Sequence, residues 1–311
     1  MRIENLTQEN VSDLKEFLTQ DIAEWIGRNF VSGFVLLPED EPSPAAGIVW
    51  QLVAGEDEYE TDCRILFIKA EDDESADALL LQFSGLVAEM GCEGSLFELP
   101  VSLGDVEKKA LEKAGFTLKT EEGEVVSLTQ ADIGMALITE KDKLREDIKK
   151  LSEADERLFD VAMAELEMNG IRGTCMDLAY LPAGFFENDI SCFLDDEGDI
   201  AAMALFHRRP SGTIELDLLS GTGESGEDTI PLLKQAIMYS EEIYAPRTRF
   251  LFDRSDENIS SFVAKYFPKA KGAQVIKGFR KEEPLPLDED AEEEDIEYTE
   301  ESEEEEAYEL E

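Results

Sequence analysis

Apolar residues along this chain switch between two periods, and each switch marks the edge of an element. In residues 9–27, ENVSDLKEFLTQDIAEWIG, they recur at helical spacing. The next three apolar stretches, SGFVLLPED, AAGIVWQLVAG and CRILFIKA, are short and separated by acidic or proline-bearing turns, which predicts three strands. ESADALLLQFSGLVAEMG predicts a helix closed by Gly91. SLFELPV then reads as a strand, DVEKKALEKAGF as a short helix with a glycine stop, and TLKTEEGEVVSLT as a terminal hairpin.

The second half repeats the order. ADERLFDVAMAELEMNG predicts a helix, DISCFLDDEGDIAAMALFHRR a hairpin turning at Asp196, Glu197 and Gly198, and TIELDLLSG a third strand. DTIPLLKQAIMYSEEIY is a helix with Pro231 in its first turn, where a missing N–H does least harm. RTRFLFDRS follows as a strand and DENISSFVAKYF as a helix. Phe67 and Phe116 are 49 residues apart, and so are Leu218 and Phe267, the mark of an internal duplication.

These elements define a mixed α/β chain of the α+β class. Two tandem units are expected, 1–130 and 151–281, each a mostly antiparallel sheet flanked by helices. Residues 131–150 contain TEKDKLREDIKK, charged on nearly every face, and read as a linker or a connecting helix.

Composition extends the picture. With 311 residues, 42% of them hydrophobic, the chain has apolar material for two cores. From Glu282 to Glu311 there are 18 acidic residues and no Lys or Arg, so residues 282–311 are expected to be a disordered acidic tail. Removing those 18 charges from the net −46 leaves −28, so the acidity is general. Such a field repels phosphate backbones, which excludes nucleic acid and anionic membranes as expected partners. The tail reads as a solubilising extension, as a strand of charge folding back on the basic segment from Lys265 to Lys281, or as a contact for a basic protein partner.

Cys63, Cys92, Cys175 and Cys192 show no C-x-x-C spacing, and His207 is the single histidine, a pattern that argues against a zinc site and a disulfide framework. The polar N-terminus and the lack of a long apolar run imply a cytoplasmic location. His207, Arg208 and Arg209 close the strand AAMALF and read as a basic patch at a hairpin end; a Ser/His/Asp device could arise only there, and no G-x-S-x-G elbow accompanies it.

The element order, together with the phrase ALEKAGF at 110–116, resembles the GCN5-related N-acetyltransferases, or GNAT enzymes, in both halves. The resemblance implies acetyl-CoA as co-substrate, held by a Gln/Arg-x-x-Gly-x-Gly/Ala loop at a helix N-terminus, where unsatisfied N–H groups face the pyrophosphate. In the first half the matching residues are EDDESA, with Glu71 and Glu74 where the cation and first glycine belong, so that site reads as lost. The family's tyrosine falls on Leu111 there.

In the second half, Gly221 to Gly226 spell G-x-G-x-x-G, beside Glu224, Glu227 and Asp228. The cofactor-binding candidates are Leu219, Gly221, Gly223, Ser225 and Gly226; the same glycines also suit a plain turn. Glu215 and Asp217 alternate on one strand and so share a face, and Tyr266 lies within a residue of the family's tyrosine. These three are the candidate acid and base residues. Arg208 and Arg209 are helpers should an anion bind. The expected function is acetyl-CoA-dependent N-acyl transfer to an amine through the second half; the alternative is a catalytically inactive tandem scaffold or interaction protein.

Overall fold

The strands are built by alternation. In β2 (Val31–Leu37), Val31, Val35 and Leu37 point to one side and Phe34 and Leu36 to the other, and both sides are buried. A sheet with two apolar faces requires a layer on each, and the chain supplies them. The computed structural model describes residues 1–14, 16–28, 30–39, 43–54, 60–169, 178–221 and 229–282.

The first half runs β1 (Arg2–Asn5), a 3₁₀ turn at Val11–Leu14, α1 (Gln20–Trp25), β2, β3 (Ala46–Ala54), β4 (Thr61–Ala70), α2 (Asp73–Glu89), β5 (Gly94–Pro100), α3 (Asp105–Lys113) and β6 (Thr117–Glu122). The second runs β7 (Val125–Thr129), α4 (Gln130–Leu137), β8 (Ile148–Lys150), α5 (Glu156–Met168), β9 (Cys192–Asp196), β10 (Asp199–Arg208), β11 (Ile214–Gly221), α6 (Thr229–Ile243), β12 (Arg249–Asp253), α7 (Glu257–Tyr266) and β13 (Gln274–Lys281). Among the described residues these strands form two sheets, ordered β1-β2-β3-β4-β5-β13-β6 and β7-β12-β11-β10-β9-β8.

The mixed α/β class with two helix-flanked sheets is as expected, but two local expectations are corrected. The single helix expected over 9–27 is interrupted, because Thr19 prefers to cap: its side chain accepts the Ile22 N–H and starts α1 there. The terminal hairpin over 117–129 does not form. β6 stays in the first sheet while β7 pairs with β12, from Arg249↔Thr129 to Asp253↔Val125. In exchange β13, at the far end of the second half, inserts between β5 and β6. Sheet membership therefore crosses the division at residue 130.

Arg254 fixes this crossing. Its guanidinium donates to Glu122 Oε1 at 3.0 Å, to the Gly123 carbonyl at 2.7 Å and to the Glu124 carbonyl at 3.0 Å. The C-terminal part of the basic segment expected at 265–281 is a strand: Lys277 pairs with Glu98 and Glu124, and Arg280 with Glu282. TEKDKLREDIKK forms no helix; it is a connecting loop ending in β8. The acidic tail from residue 283 lies outside the described residues.

The duplication has a structural signature. The β3–β4 ladder slips between Val49 and Trp50, leaving Leu66 as the extra residue, and the β10–β11 ladder slips between Leu205 and Phe206, leaving Asp217. Leu66 and Asp217 are separated by the same interval as Phe116 and Phe267, so both copies carry a β-bulge at the matching place, and the second half has a further slip between Ile200 and Ala202.

Candidate functional site

The bulge on β11 decides where the acids point. His207 on β10 lies across from Glu215, Phe206 across from Leu216, and Leu205 across from Leu218, so Asp217 is the unpaired residue and its side chain turns toward the imidazole. His207 Nδ1 and Asp217 Oδ2 are 2.7 Å apart. On the other side of the ring, Nε2 lies 3.7 Å from Glu215 Oε2, and that oxygen accepts from Arg209 Nε at 2.5 Å. The result is a row of acid, imidazole, acid and guanidinium. His207 is 1% exposed, Asp217 0% and Glu215 6%.

The basic patch expected at His207 is thus corrected. Along β10, Met203, Leu205 and His207 fall on one face and Ala202, Ala204 and Phe206 on the other, which carries the imidazole inward. Arg209 follows with it, while Arg208 points to solvent. Period-two counting along AAMALFHRR contained this placement; what it lacked was knowledge that both faces of the strand are covered.

The cover comes partly from the other half. Phe185 stacks on the His207 ring with centroids 5.2 Å apart, and Trp25 from α1 meets it edge-on at 5.4 Å. Trp25 packs against the apolar cores of both halves. No local pattern in the sequence announces such a contact.

Burial and charge shift these groups in linked ways. Burial pushes the Asp217 carboxyl up to about 6, with the His207 hydrogen bond pulling against it. Burial alone would lower the His207 imidazole, but its bond to Asp217 and the charges of Asp217 and Glu215 raise it on balance. Arg209 is likewise held charged against its burial by Glu215. The ligand-type atoms of His207, Glu215 and Asp217 lie within 4.8 Å of one another. His207 already engages Asp217 and Arg209 engages Glu215, so the set is foremost an ion-paired row that can hold a proton between His207 and Asp217.

Of the expected site residues, the structure brings Glu215 and Asp217 together and sets Tyr266 apart. Tyr266 packs with the α6 and α7 core on the opposite face of the sheet, its ring 5.5 Å from that of Phe262. Leu219 is buried in that same core, and Gly221 ends β11 opposite Ala202. Gly223, Ser225 and Gly226 lie outside the described residues. The parallel β11–β12 ladder ends at Leu216↔Phe252, and β11 runs on to Gly221 beyond it.

The first half has the matching ladder, β4 with β5 from Asp62↔Gly94 to Ile65↔Phe97, but its helix start is closed. Asp72 accepts the Ser75 N–H at 2.8 Å, and the Ser75 hydroxyl returns toward the Asp72 amide in a capping box. An anion finds its donor taken by a carboxylate, and that hydrogen bond holds the Asp72 carboxyl below its ordinary value. Leu111 is fully buried in the core. The residues present do not fit a pyrophosphate.

No family model and no curated protein matches the sequence. Solved structures do match in fold. A tandem GNAT protein from the clavulanic acid biosynthesis pathway superposes with a TM-score of 0.57 at 9% identity, over 92% of this chain and 100% of that one. A probable N-acyltransferase from Enterococcus faecalis V583 gives 0.51 at 11% identity, over 91% of this chain and 72% of that one. The chain has a tandem GNAT-like fold. Among the described residues, no helix is long and apolar enough to cross a membrane.

Proposed function

We propose that the chain is an acetyl-CoA-dependent N-acyltransferase that works through its second half on an amine substrate. The supporting observation is that the proton-holding row of Asp217, His207 and Glu215 stands on the bulge where the parallel ladder of β11 and β12 ends. Beyond that point β11 leads through Gly221 toward the start of α6, the place where a helix N-terminus offers donors to a pyrophosphate. Acetyl-CoA would supply the acyl group as a thioester. The chain's own residues would handle the proton: Glu215 and Asp217, beside His207, would accept the one that an ammonium must lose before its nitrogen forms the new C–N bond, and would return it to the thiolate released as the C–S bond breaks. The net charge of −46 draws cationic amines toward the site.

Titrating the full chain with acetyl-CoA in a calorimeter, beside Gly223→Glu and Gly226→Glu, tests this. Binding heat in the wild type that disappears in both variants is the expected result. Heat unchanged in both variants removes the loop from the site, and no heat in the wild type ends the proposal.

A second reading has its own support. Asp217 and His207 are almost wholly buried, and the first half's helix start is self-capped, which suits a non-catalytic tandem scaffold. Under that reading the buried row backs the junction that Trp25 and Asp21 make between the halves, and acetyl-CoA produces no heat.

A further inference from the structure

α1 and the turn after it face the second half along one side. Asp21 and Trp25 are one helical turn apart on α1, and Arg28 follows in the turn beyond Gly27. Asp21 Oδ1 accepts the Ser211 amide at 2.9 Å, Trp25 packs on Phe185 and His207, and the Arg28 guanidinium lies 5.9 Å from the Phe185 ring centre.

Glu24 belongs to the same junction. Its Oε2 is buried and has no hydrogen-bond partner among the described residues. His207 Nε2, across the junction, is also buried without a hydrogen bond there. A buried carboxylate oxygen and a buried imidazole nitrogen left without hydrogen bonds are costly separately, and opposite charge on the two relieves both. Burial raises the Glu24 carboxyl, and His207 is the strongest of the groups that oppose the rise, ahead of Arg28.

We propose that Glu24 is a positioning residue of the second half's site: its carboxylate, carried by the first half, adds to Asp217 and Glu215 in holding the charge on the His207 imidazole, so the site is composed of both halves. Its bearing on catalysis rests on the acyltransferase reading; the charge coupling itself does not. The groups around His207 are Asp217 and Glu215 from β11, Arg209 just past β10, and Glu24 from α1, with Trp25 and Phe185 as apolar walls. Asp21, Arg28 and Arg209 act in turn on Glu24. The first half has closed its own anion site, and on this account its contribution is a fifth charged group beside the four of the row.

His207 is the only histidine in the chain, so its imidazole C–H signals in a proton NMR titration of the full chain identify themselves. Glu24→Gln keeps the shape and removes the charge. Its His207 midpoint is expected below that of the wild type, with the melting temperature little changed, and Glu24→Asp is expected to recover part of the shift. Arg209→Gln, which removes a cation from the row, is expected to move the midpoint the opposite way. A midpoint unmoved by loss of the Glu24 carboxylate, in Glu24→Gln or Glu24→Ala, overturns the proposal. Acetyl-CoA titration of the same samples separates the two ideas: a lowered midpoint with no binding heat keeps the coupling and removes the acyltransferase, and heat with an unmoved midpoint does the reverse.

Discussion

His207 on β10 and Asp217 on the β11 bulge meet at 2.7 Å in a space almost closed to solvent. Each group binds its proton more tightly in the folded chain than in the unfolded one, where Asp titrates at about 3.9 and His at about 6.5. The stability that the protonated forms provide is fully present below those unfolded values and is lost as pH rises through the folded ones. For Asp217 the window runs from about pH 4 to about 6. Asp217→Asn has no such window. Urea unfolding across that range is expected to show the wild type losing stability relative to Asp217→Asn as pH rises; parallel curves would contradict the raised carboxyl.

Trp25 belongs to two cores at once, and truncating it is expected to loosen both. Trp25→Ala removes the edge contact on His207 and the tilted contact on Phe185. A large-to-small change of this kind costs about 3 kcal/mol. A denaturation midpoint that does not fall, or limited proteolysis no faster than in the wild type, would show that the junction is held elsewhere.

The strand exchange makes the C-terminus a structural part of the N-terminal sheet. Removing residues 274–311 takes out β13 and leaves β5 and β6 with open edges. Cys63 and Cys92 lie buried in the first half's core and Cys192 in the second's, all three as free thiols. Burial pushes the Cys63 thiol well above its ordinary value, so it reacts slowly while the sheet is intact. In the truncated chain Cys63 and Cys92 are expected to react with a thiol reagent while Cys192 stays protected. Equal protection of all three would show that the first sheet closes without β13.

What the sequence disclosed and what it hid follow one physical rule. Periodicity reports which faces of an element are apolar, and the alternation in Ile214–Gly221 and the helical spacing in Asp73–Glu89 were legible for that reason. It does not report which strand pairs with which. TLKTEE and VVSLT alternate equally well beside each other or apart, so the exchange of β7 and β13 stayed hidden. Glu215 and Asp217 were legible as a pair on one face. The inward turn of His207 and Arg209 was missed because a charged end of a strand ordinarily faces water. Tyr266 was misplaced relative to them because the alignment that suggested it fixes a position along a helix and leaves the face open.

Gly278 is the residue through which β13 fits the first sheet. A Cβ built there would lie 2.2 Å from Phe97 Cζ and 2.3 Å from Cε1, and the Phe97 ring is itself buried between Phe116 and the sheet. A ring with no room to retreat turns an added methyl into strain, which costs about 1–3 kcal/mol. Gly85 makes the contrast. It sits inside α2, and a Cβ there meets nothing within 4 Å. Alanine at that position recovers helix propensity of about 0.5–1 kcal/mol. Gly278→Ala is therefore expected to lower the denaturation midpoint and Gly85→Ala to raise it. Adding Phe97→Leu to Gly278→Ala should return part of the loss, because the smaller side chain vacates the contested space and the two sites couple. If Gly278→Ala unfolds at the wild-type midpoint, then β13 does not lie against Phe97, and the exchange of strands between the two sheets fails with it.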